Sequence, residues 1–289
     1  MDCSTEKIAL VLEGGGFRGM YTSGVLDALL KYNIDFPYVI GVSAGAAYGI
    51  SYVSKQFERN KTVNLKYTAD PRYMSWRNLW RKGNLFDWDF VYGEIPNRLV
   101  PFDYETLFSS PTKFMVGVTQ VSSGEASYFS SKEMNNEQLL AAITASSSLP
   151  FVSKMACMNS DLFMDGGLAD SIPVEKAMVD GNTRAVVILT RNAGYRKKPA
   201  KFTWLIKAVY KKYPKLVDTI LSRADRYNAT LDRLEDLEKK GKVFIIRPKG
   251  QMEVSRIENN PVKLDRLYQM GFDEMEDSIS EMKVWMIQK

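Results

Sequence analysis

The sequence predicts an α/β fold in which a central, mostly parallel β-sheet lies between two layers of helices. Over the first 195 of the 289 residues, short runs of β-branched and aliphatic residues alternate with helical stretches, as in parallel strands joined by helices. Hydrophobic residues make up 45% and charged residues 25%, as in an ordinary globular chain with a large buried core. A three-layer α/β/α arrangement is therefore our starting expectation.

The predicted elements follow this alternation along the chain. Strands are predicted at 8–12, 38–42, 114–121, 162–164 and 185–190, with a short partner strand at 127–129 after a Ser-Ser-Gly turn. Helices are predicted at 21–31, 46–56, 136–144 and 173–179. The stretch 67–100 is rich in Trp, Tyr and Arg and lacks clean periodicity, so we interpret it as an insertion over the core.

After Pro199 the pattern changes to long amphipathic helices, predicted at 200–213, at 215–240 and from Pro261 onward. A lone strand at 243–246 is expected to return to the main sheet. We therefore divide the chain into an α/β domain at 6–195 and a mainly helical, basic extension at 196–289. The first 195 residues carry 18 basic and 20 acidic groups and the rest carry 21 and 14, so the extension holds the positive excess.

Histidine is absent from the whole sequence, which excludes Ser-His-Asp and Cys-His catalytic systems and His-ligated metal sites. The two cysteines, Cys3 and Cys157, match no disulfide framework or metal-ligand spacing, which favours free thiols in a reducing compartment. The N-terminus lacks the basic and apolar regions of a secretory signal, and no window is apolar for long enough to span a membrane. These observations predict a cytoplasmic protein.

A glycine-rich loop follows the first predicted strand. Gly14, Gly16 and Gly19 fit the GxGxxG spacing of dinucleotide-binding folds. Such folds also need an acidic residue at the carboxyl end of the next strand, and Asp35 precedes that strand at its other end. Nucleotide binding is therefore the weaker of two interpretations of this loop.

The segment Gly41-Val42-Ser43-Ala44-Gly45 is a GxSxG motif between a predicted strand and a predicted helix. A sharp turn there projects the Ser43 hydroxyl, and the flanking glycines let the strand and the helix approach closely. The helix N-terminus offers unpaired N–H groups where negative charge develops. Ser43 is thus a candidate nucleophile, and the alternative is a tight turn with an idle serine.

The glycine loop and the GxSxG turn are expected to lie side by side, because one helix joins their strands in a right-handed βαβ unit. Both then emerge at the carboxyl edge of the sheet, where α/β folds bind ligands. The backbone N–H groups of Gly15, Gly16 and Phe17, together with that of Ala44, are predicted to form an oxyanion hole for Ser43.

Without histidine, a carboxylate or a lysine has to accept the serine proton. Asp165 is the candidate base, because it ends an apolar run and precedes Gly166-Gly167 at the rim of the predicted sheet. The alternative is that Asp-Gly-Gly forms only a turn. Asp170 and Asp180 are weaker candidates.

Three motifs together resemble the signatures of the patatin-like phospholipase family in their order and separation. They are residues 14–19 (GGGFRG), residues 41–45 (GVSAG) and residues 165–167 (DGG). Ile172-Pro173 follows at the spacing typical of the family, although Ser171 stands where an asparagine is commoner. Residues 145–150 and 119–125 resemble the family pattern more weakly. The resemblance covers about residues 6–192, and the rest looks like an extension in a bacterial branch of the family.

The resemblance implies a patatin-like fold and a Ser–Asp dyad that hydrolyses acyl esters of lipids, with no metal and no cofactor. It assigns Ser43 as the nucleophile and Asp165 as the general base, which also activates water to release the acyl-enzyme, and it makes the glycine loop the oxyanion hole. Arg18 would either meet a substrate phosphate or pack on the loop and orient it. The alternative function is a weakly active or inactive lipid-binding or regulatory protein on the same fold.

Two segments are candidates for peripheral contact with the inner face of a membrane. At 201–217, apolar residues at 3–4 spacing fall on one helical face and four lysines on the other, as in helices that bind anionic bilayers. The alternative is that this apolar face packs on the core. Residues 72–82 mix tryptophan with positive charge. No nucleic acid partner is expected, because no binding motif is present and the basic excess is modest.

Overall fold

An eight-stranded β-sheet forms the centre of the computed structural model, which describes residues 7–288. The strands are β1 (Ile8–Leu12), β2 (Tyr38–Val42), β3 (Lys113–Gln120), β4 (Ala126–Ser130), β5 (Ala156–Met158), β6 (Asp161–Asp165), β7 (Arg184–Ile188) and β8 (Val243–Ile246). Their order is β5-β6-β3-β2-β1-β7-β8, with β4 paired to β3 outside this path. The pairs from β3 through β2, β1 and β7 to β8 are parallel, whereas β4, β5 and β6 form antiparallel pairs.

Helices connect these strands and cover the sheet. Within the described residues they are α1 (Met20–Lys31), α2 (Ala44–Val53), α3 (Arg59–Tyr67), α4 (Trp76–Lys82), α5 (Tyr104–Ser109), α6 (Asn136–Ser146), α7 (Val174–Val179), α8 (Thr203–Val209), α9 (Pro214–Leu221), α10 (Arg223–Lys239) and α11 (Pro261–Ile287). A π-helix at Asp89–Leu99 lies between α4 and α5. None of the helices in residues 7–288 combines the length and the apolarity that crossing a bilayer requires.

Both faces of the sheet are buried, each by its own set of helices. Along β1, Leu10 and Leu12 belong to an apolar cluster that includes residues of α1, α2 and α11. Ala9 and Val11 belong to another cluster, which includes residues of α7 and α10. This alternation follows from the period of two in a strand. The expected three-layer α/β/α fold with a mostly parallel sheet is confirmed.

Two strands meet end to end along one edge of β3. Strand β4 pairs with Met115–Thr119 on one side of β3. Strands β2 and β6 therefore share the other side. There β2 ends with Val42 opposite Gly117, and β6, which runs the opposite way, ends with Asp165 opposite Val118. The turn that follows β2 therefore lies beside the last residue of β6.

The C-terminal helix α11 packs along α1 at a close crossing that two glycines allow. A methyl group on Gly24 would lie 2.0 Å from the Tyr268 carbonyl oxygen, and one on Gly271 would lie 2.1 Å from that of Tyr21. The Tyr268 hydroxyl donates to the buried Asp27 Oδ2 at 2.9 Å. Together with the pairing of β8 to β7, this contact joins the C-terminal part to the same core. The division of the chain at residue 195 stays a prediction.

Several elements differ from the sequence-based expectation. Helices α3 and α5 and strand β5 were not predicted, because they are short and carry weak apolar periodicity. The single helix predicted at 215–240 is wrong, since a turn at Ser222 divides this stretch into α9 and α10. The N–H and the hydroxyl of Ser222 both donate to the Asp218 carbonyl oxygen at this turn. The helix predicted at 200–213 extends only over α8. Cys3 lies outside the described residues, and Cys157 is an exposed free thiol.

Candidate active site

Ser43 occupies a strained turn between β2 and α2. Its backbone has φ 54° and ψ −124°, a conformation that residues other than glycine rarely adopt. A methyl group on Gly41 would lie 2.6 Å from the Gly45 carbonyl carbon, and one on Gly45 would lie 2.5 Å from the Leu12 carbonyl oxygen. Glycine at both positions therefore lets the strand and the helix approach closely, as a nucleophile elbow requires.

Asp165 lies directly against this turn. The Ser43 hydroxyl donates a hydrogen bond to Asp165 Oδ2 at 2.7 Å, and both side chains are buried. Asp165 Oδ1 accepts the Gly167 N–H at 2.9 Å. The Asp165 backbone is held by its N–H, which donates to the Ser148 carbonyl oxygen, and by its carbonyl oxygen, which accepts the Thr119 hydroxyl. A carboxylate fixed in this way can take the serine proton without reorienting.

Ser146, at the end of α6, holds the backbone of the turn. The Ser43 N–H donates to Ser146 Oγ at 2.7 Å, and that hydroxyl donates to the Gly117 carbonyl oxygen at 2.6 Å. The turn is thereby tied to both α6 and β3. From the sequence, residues 145–150 resemble the family pattern only weakly. No role could be predicted for Ser146, because a single buried serine produces no periodic signal.

The glycine loop runs alongside Ser43. A methyl group on Gly14 would lie 3.2 Å from Ser43 Cβ. Within residues 7–288 the amides of Gly15, Gly16 and Ala44 have no protein hydrogen-bond acceptor. Three of the four predicted oxyanion donors are therefore available to a substrate oxygen.

The fourth predicted donor is already paired. The Phe17 N–H donates to the Arg256 carbonyl oxygen at 3.1 Å. Arg256 belongs to the segment between β8 and α11, and a methyl group on Gly16 would lie 2.4 Å from the same oxygen. The C-terminal segment thus rests directly on the glycine loop.

An apolar cavity opens beside Ser43. Its wall is largely aromatic and includes Tyr48, Tyr73, Phe86, Trp88 and Tyr92. The rings of Phe86, Trp88 and Tyr92 stack in succession, with centroids 5.3 and 5.6 Å apart. Four of these five residues come from the stretch 67–100, which sequence analysis interpreted only as an insertion. The cavity offers an apolar chain a binding site that ends at the Ser43 hydroxyl.

Arg18 lies behind the glycine loop and is only 6% exposed. It lines a second cavity rather than the aromatic one. Burial, reinforced by the charges of Arg191 and Arg256, lowers the pKa of the Arg18 guanidinium to about 10. The guanidinium stays charged at neutral pH.

The other two aspartates that were considered as bases lie in different contacts. Asp170 Oδ2 accepts the Tyr128 hydroxyl at 2.6 Å. Asp180 accepts the Tyr38 hydroxyl at 2.7 Å and the Lys176 ammonium at 2.5 Å. Of the three aspartates, the structure brings Asp165 to the serine.

Comparisons with known proteins agree with this architecture. Residues 10–178 match the family model described as Patatin-like phospholipase, and residues 213–287 match a domain of unknown function (DUF6363). The uncharacterized protein YjjU of Escherichia coli is 32% identical over 189 residues, which make up 64% of this chain and 52% of YjjU. The chain thus spans about half the length of that curated relative.

Among solved structures, VipD from Legionella pneumophila is similar to this chain, with a TM-score of 0.48 and 13% identity. The alignment covers 96% of this chain and 67% of the VipD chain. The match to the family model includes all three sequence motifs and more than half of the chain. The chain therefore belongs to the patatin-like phospholipase family.

Proposed function

We propose that the protein is a lipid acyl hydrolase of the esterase or phospholipase A type, with Ser43 as nucleophile and Asp165 as general base. The proposal is carried by the 2.7 Å hydrogen bond between the two side chains, formed in a strained turn next to unpaired backbone amides. Membership of the family supports hydrolysis of lipid esters. A sequence without histidine leaves a carboxylate as the base within reach of the serine.

In the first half-reaction, Ser43 Oγ attacks the ester carbonyl carbon while its proton passes to Asp165. The tetrahedral oxyanion accepts hydrogen bonds from the amides of Gly15, Gly16 and Ala44, and each such donor contributes roughly 3–4 kcal/mol. As the bond to the alcohol breaks, Asp165 returns the proton to the leaving oxygen. The acyl group then remains on Ser43, with its chain in the aromatic cavity.

In the second half-reaction, a water molecule replaces the alcohol. Asp165 takes a proton from this water as the oxygen attacks the acyl carbon, and the same amides stabilise the second oxyanion. Breakdown of this intermediate returns the proton to Ser43 Oγ and releases the fatty acid. The chemistry requires no group beyond the chain and water.

The assignment is tested by Ser43→Ala and Asp165→Asn with p-nitrophenyl butyrate as substrate. Each substitution should lower kcat/KM by at least about a thousandfold, because the nucleophile and base act as a unit. Asp161→Asn, at the exposed start of the same strand β6, is the matched control and should keep wild-type turnover. Circular dichroism checks that the variants fold. Turnover by Asp165→Asn at the wild-type rate would overturn the assignment.

One observation favours the alternative of a weakly active lipid-binding protein. The Arg256 carbonyl oxygen already accepts the Phe17 N–H, so one predicted oxyanion donor is paired in this conformation. Counting the nitrophenol released per protein molecule separates the two functions. A hydrolase continues through many turnovers, whereas a binding protein stops at or below one equivalent.

We further propose that the protein works in the cytoplasm and contacts the inner face of the membrane through residues 72–82 and 201–217. Trp76 and Trp80 are 72% and 85% exposed, and Phe202 and Trp204 are both 68% exposed. Ile206 and Leu216, by contrast, pack in the core, so only part of the expected apolar face is exposed. Exposed aromatic side chains beside lysines suit a bilayer interface.

Both segments adjoin contacts to the wall of the second cavity. The Leu85 N–H donates to the Val152 carbonyl oxygen at 2.7 Å, and the Phe151 N–H donates to the Tyr210 hydroxyl at 2.9 Å. Phe151 and Val152 therefore connect the region after α4 with the end of α8. These two residues line the second cavity. A membrane held by α4 and α8 would present lipid at the entrance to the site.

Sedimentation with vesicles of phosphatidylglycerol and phosphatidylcholine tests this contact. Trp76→Ser/Trp80→Ser should reduce the bound fraction several-fold. Val179→Ser is the control, because Val179 is 80% exposed and lies away from the site. Its neighbour Asp180 contacts Tyr38 at the start of β2, whereas Ser43 follows the end of that strand. Equal binding by wild type and the double variant would exclude α4 as a membrane contact.

A further inference from the structure

A basic cavity adjoins the aromatic cavity, and among residues 7–288 no carboxylate lines its wall. Its six cationic residues are Arg18, Arg191, Lys197, Lys198, Arg223 and Arg256. In the part of the chain that the structure describes, none of the six forms a salt bridge. Six unpaired cations around one space are unfavourable for the empty protein.

The guanidinium groups of the deepest arginines keep unused hydrogen-bond donors. Arg18 is almost fully buried, and its Nε has no partner among residues 7–288. The same is true of Arg223 Nε. Buried polar groups in native proteins are nearly always paired, so two such donors beside one cavity favour the binding of an acceptor. Because these donors carry positive charge, the fitting acceptor is an anion.

The positive charges around this cavity also repel one another. Burial, together with the neighbouring Arg223 and Arg256, lowers the pKa of the Lys197 ammonium to about 7. Burial and Arg256 lower the pKa of Arg223 to about 10. Two acids oppose this effect: Asp165 acts on Arg223, and Glu13, whose carboxylate is already hydrogen-bonded to Thr190 and Tyr227, acts on Lys197 and Arg223. A bound anion would relieve this repulsion, which favours its binding.

Arg223, in the wall of the basic cavity, lies close to Asp165. A methyl group on Gly167 would lie 3.0 Å from Asp165 Oδ1 and 3.2 Å from an Arg223 terminal nitrogen. Arg256 and Leu149 line both cavities. An ester with its carbonyl at Ser43 and its acyl chain in the aromatic cavity would therefore direct its alcohol portion towards the cations.

We propose that the basic cavity is a phosphate-recognition site built by the C-terminal part of the chain, and that it selects acyl esters whose alcohol portion carries a phosphate monoester. Four of the six cations, Lys197, Lys198, Arg223 and Arg256, lie beyond residue 195. The inference rests on the proposed hydrolase function and adds its substrate class. It also gives the C-terminal part a task in recognition.

The charge of the cavity distinguishes among headgroups. A dianionic phosphate monoester presents several acceptor oxygens to the arginine forks and neutralises two cations. A zwitterionic headgroup would bring an ammonium into a cavity that no carboxylate of the described residues lines. A neutral diacylglycerol would leave the unpaired donors of Arg18 and Arg223 unsatisfied. The order of preference is therefore monoester, then monoanionic diester, then zwitterionic and neutral lipids.

The first experiment compares lipids with identical acyl chains in detergent micelles. The lipids are dioleoyl phosphatidic acid, phosphatidylglycerol, phosphatidylcholine and diolein, with phosphatidylglycerol at a mole fraction that matches the micelle charge. Fatty acid release should be at least about tenfold faster on phosphatidic acid, equivalent to about 1.4 kcal/mol. Equal rates on phosphatidic acid and charge-matched phosphatidylglycerol would overturn the proposal, because attraction to an anionic surface alone would then explain the preference.

A pair of double variants tests whether the cavity causes the preference. Lys197→Gln/Lys198→Gln should bring the rate ratio of phosphatidic acid to phosphatidylcholine close to one. Lys239→Gln/Lys240→Gln removes the same charge from the exposed end of α10 and should leave the ratio unchanged. An unchanged ratio in the cavity variant would overturn the proposal. Hydrolysis of p-nitrophenyl butyrate by wild type separates the outcomes, since its absence would count against the hydrolase function itself.

Calorimetry with the folded Ser43→Ala variant distinguishes a lipid headgroup from free phosphate. Dihexanoyl phosphatidic acid below its micelle concentration should bind at least about tenfold more tightly than inorganic phosphate, because its chains also enter the aromatic cavity. Equal affinity for the two probes would indicate a site for free phosphate and would contradict the substrate assignment.

Discussion

The Ser43 hydroxyl and the Asp165 carboxylate lie 2.7 Å apart although 122 residues separate them in the chain. Their meeting follows from the way two strands share one edge of β3. Strand β2 ends opposite Gly117 and the antiparallel β6 ends opposite Val118, so the residue after one strand lies against the last residue of the other. The pairing of the sheet, rather than a flexible loop, sets the distance between the proposed nucleophile and base.

We expect Ser146→Ala to lower kcat about tenfold or more with little change in KM. The substitution removes the acceptor of the buried Ser43 N–H, which costs about 1–3 kcal/mol and loosens the turn that presents the hydroxyl. Steady-state kinetics on p-nitrophenyl butyrate measures the effect.

Ser148→Ala is the matched control for that experiment. Its hydroxyl donates only to the Thr144 carbonyl oxygen in the preceding helical turn, and its own backbone contact with Asp165 is retained. Its kcat should stay within about twofold of wild type, as for a substitution that leaves the site's contacts intact. If Ser146→Ala behaved in the same way, the hydrogen bond to Ser43 would have no positioning role.

Gly45→Ala should destabilise the protein and remove activity together. The added methyl group would lie 2.5 Å from the Leu12 carbonyl oxygen, so α2 has to move away from β1 and take the Ser43 turn with it. Overpacking of this kind costs about 1–3 kcal/mol or more. Thermal unfolding and ester hydrolysis are measured on the same sample.

Gly93→Ala provides the comparison, because a methyl group there would meet nothing within 4 Å. This variant should unfold within a few degrees of wild type and keep its activity. A wild-type melting temperature for Gly45→Ala would contradict the close approach of strand and helix.

The stability of the α1–α11 interface should depend on pH through Asp27. Burial raises the pKa of this carboxyl to about 6 in the folded protein, against about 3.9 in an unfolded chain. Between these values the folded state binds the proton more tightly. This stabilises the folded protein by up to about 3 kcal/mol below pH 4, and the stabilisation is lost as the pH rises from about 4 through 6.

Asp27→Asn removes this ionisation, so its advantage in stability over wild type should be larger at pH 8 than at pH 4.5 by about 2 kcal/mol. Urea unfolding at the two pH values measures the difference. Tyr268→Phe removes the hydroxyl that donates to Asp27 and should steepen the pH dependence of the otherwise native protein. A stability difference that does not vary with pH would contradict the raised pKa.

The sheet and both residues of the proposed dyad could be found from the sequence, because their signals are local. Strands β1, β2 and β8 have the predicted bounds, and Ser43 and Asp165 each stand at a strand end beside glycine. The antiparallel direction of β6 could not be predicted, since alternation of apolar residues does not report strand direction. The contact between the two side chains depends on that direction.

The surroundings of the dyad come from parts of the chain that carry no comparable signal. The aromatic cavity is built by the segment 67–100, whose stacked rings have no helical or strand period. The cations of the second cavity lie at scattered positions, from Arg18 to Arg256, and converge only through tertiary packing. Charge counts located the basic excess in the C-terminal part but could not place it beside the glycine loop.

Labelling with a fluorophosphonate, followed by peptide mapping, tests the central claim most directly. We expect one phosphonate on the peptide that contains Ser43, formed at least about a hundredfold more slowly in Asp165→Asn but at the wild-type rate in Asp161→Asn. Failure of Ser43 to react, or reaction of Asp165→Asn as fast as wild type, would contradict a serine activated by this carboxylate.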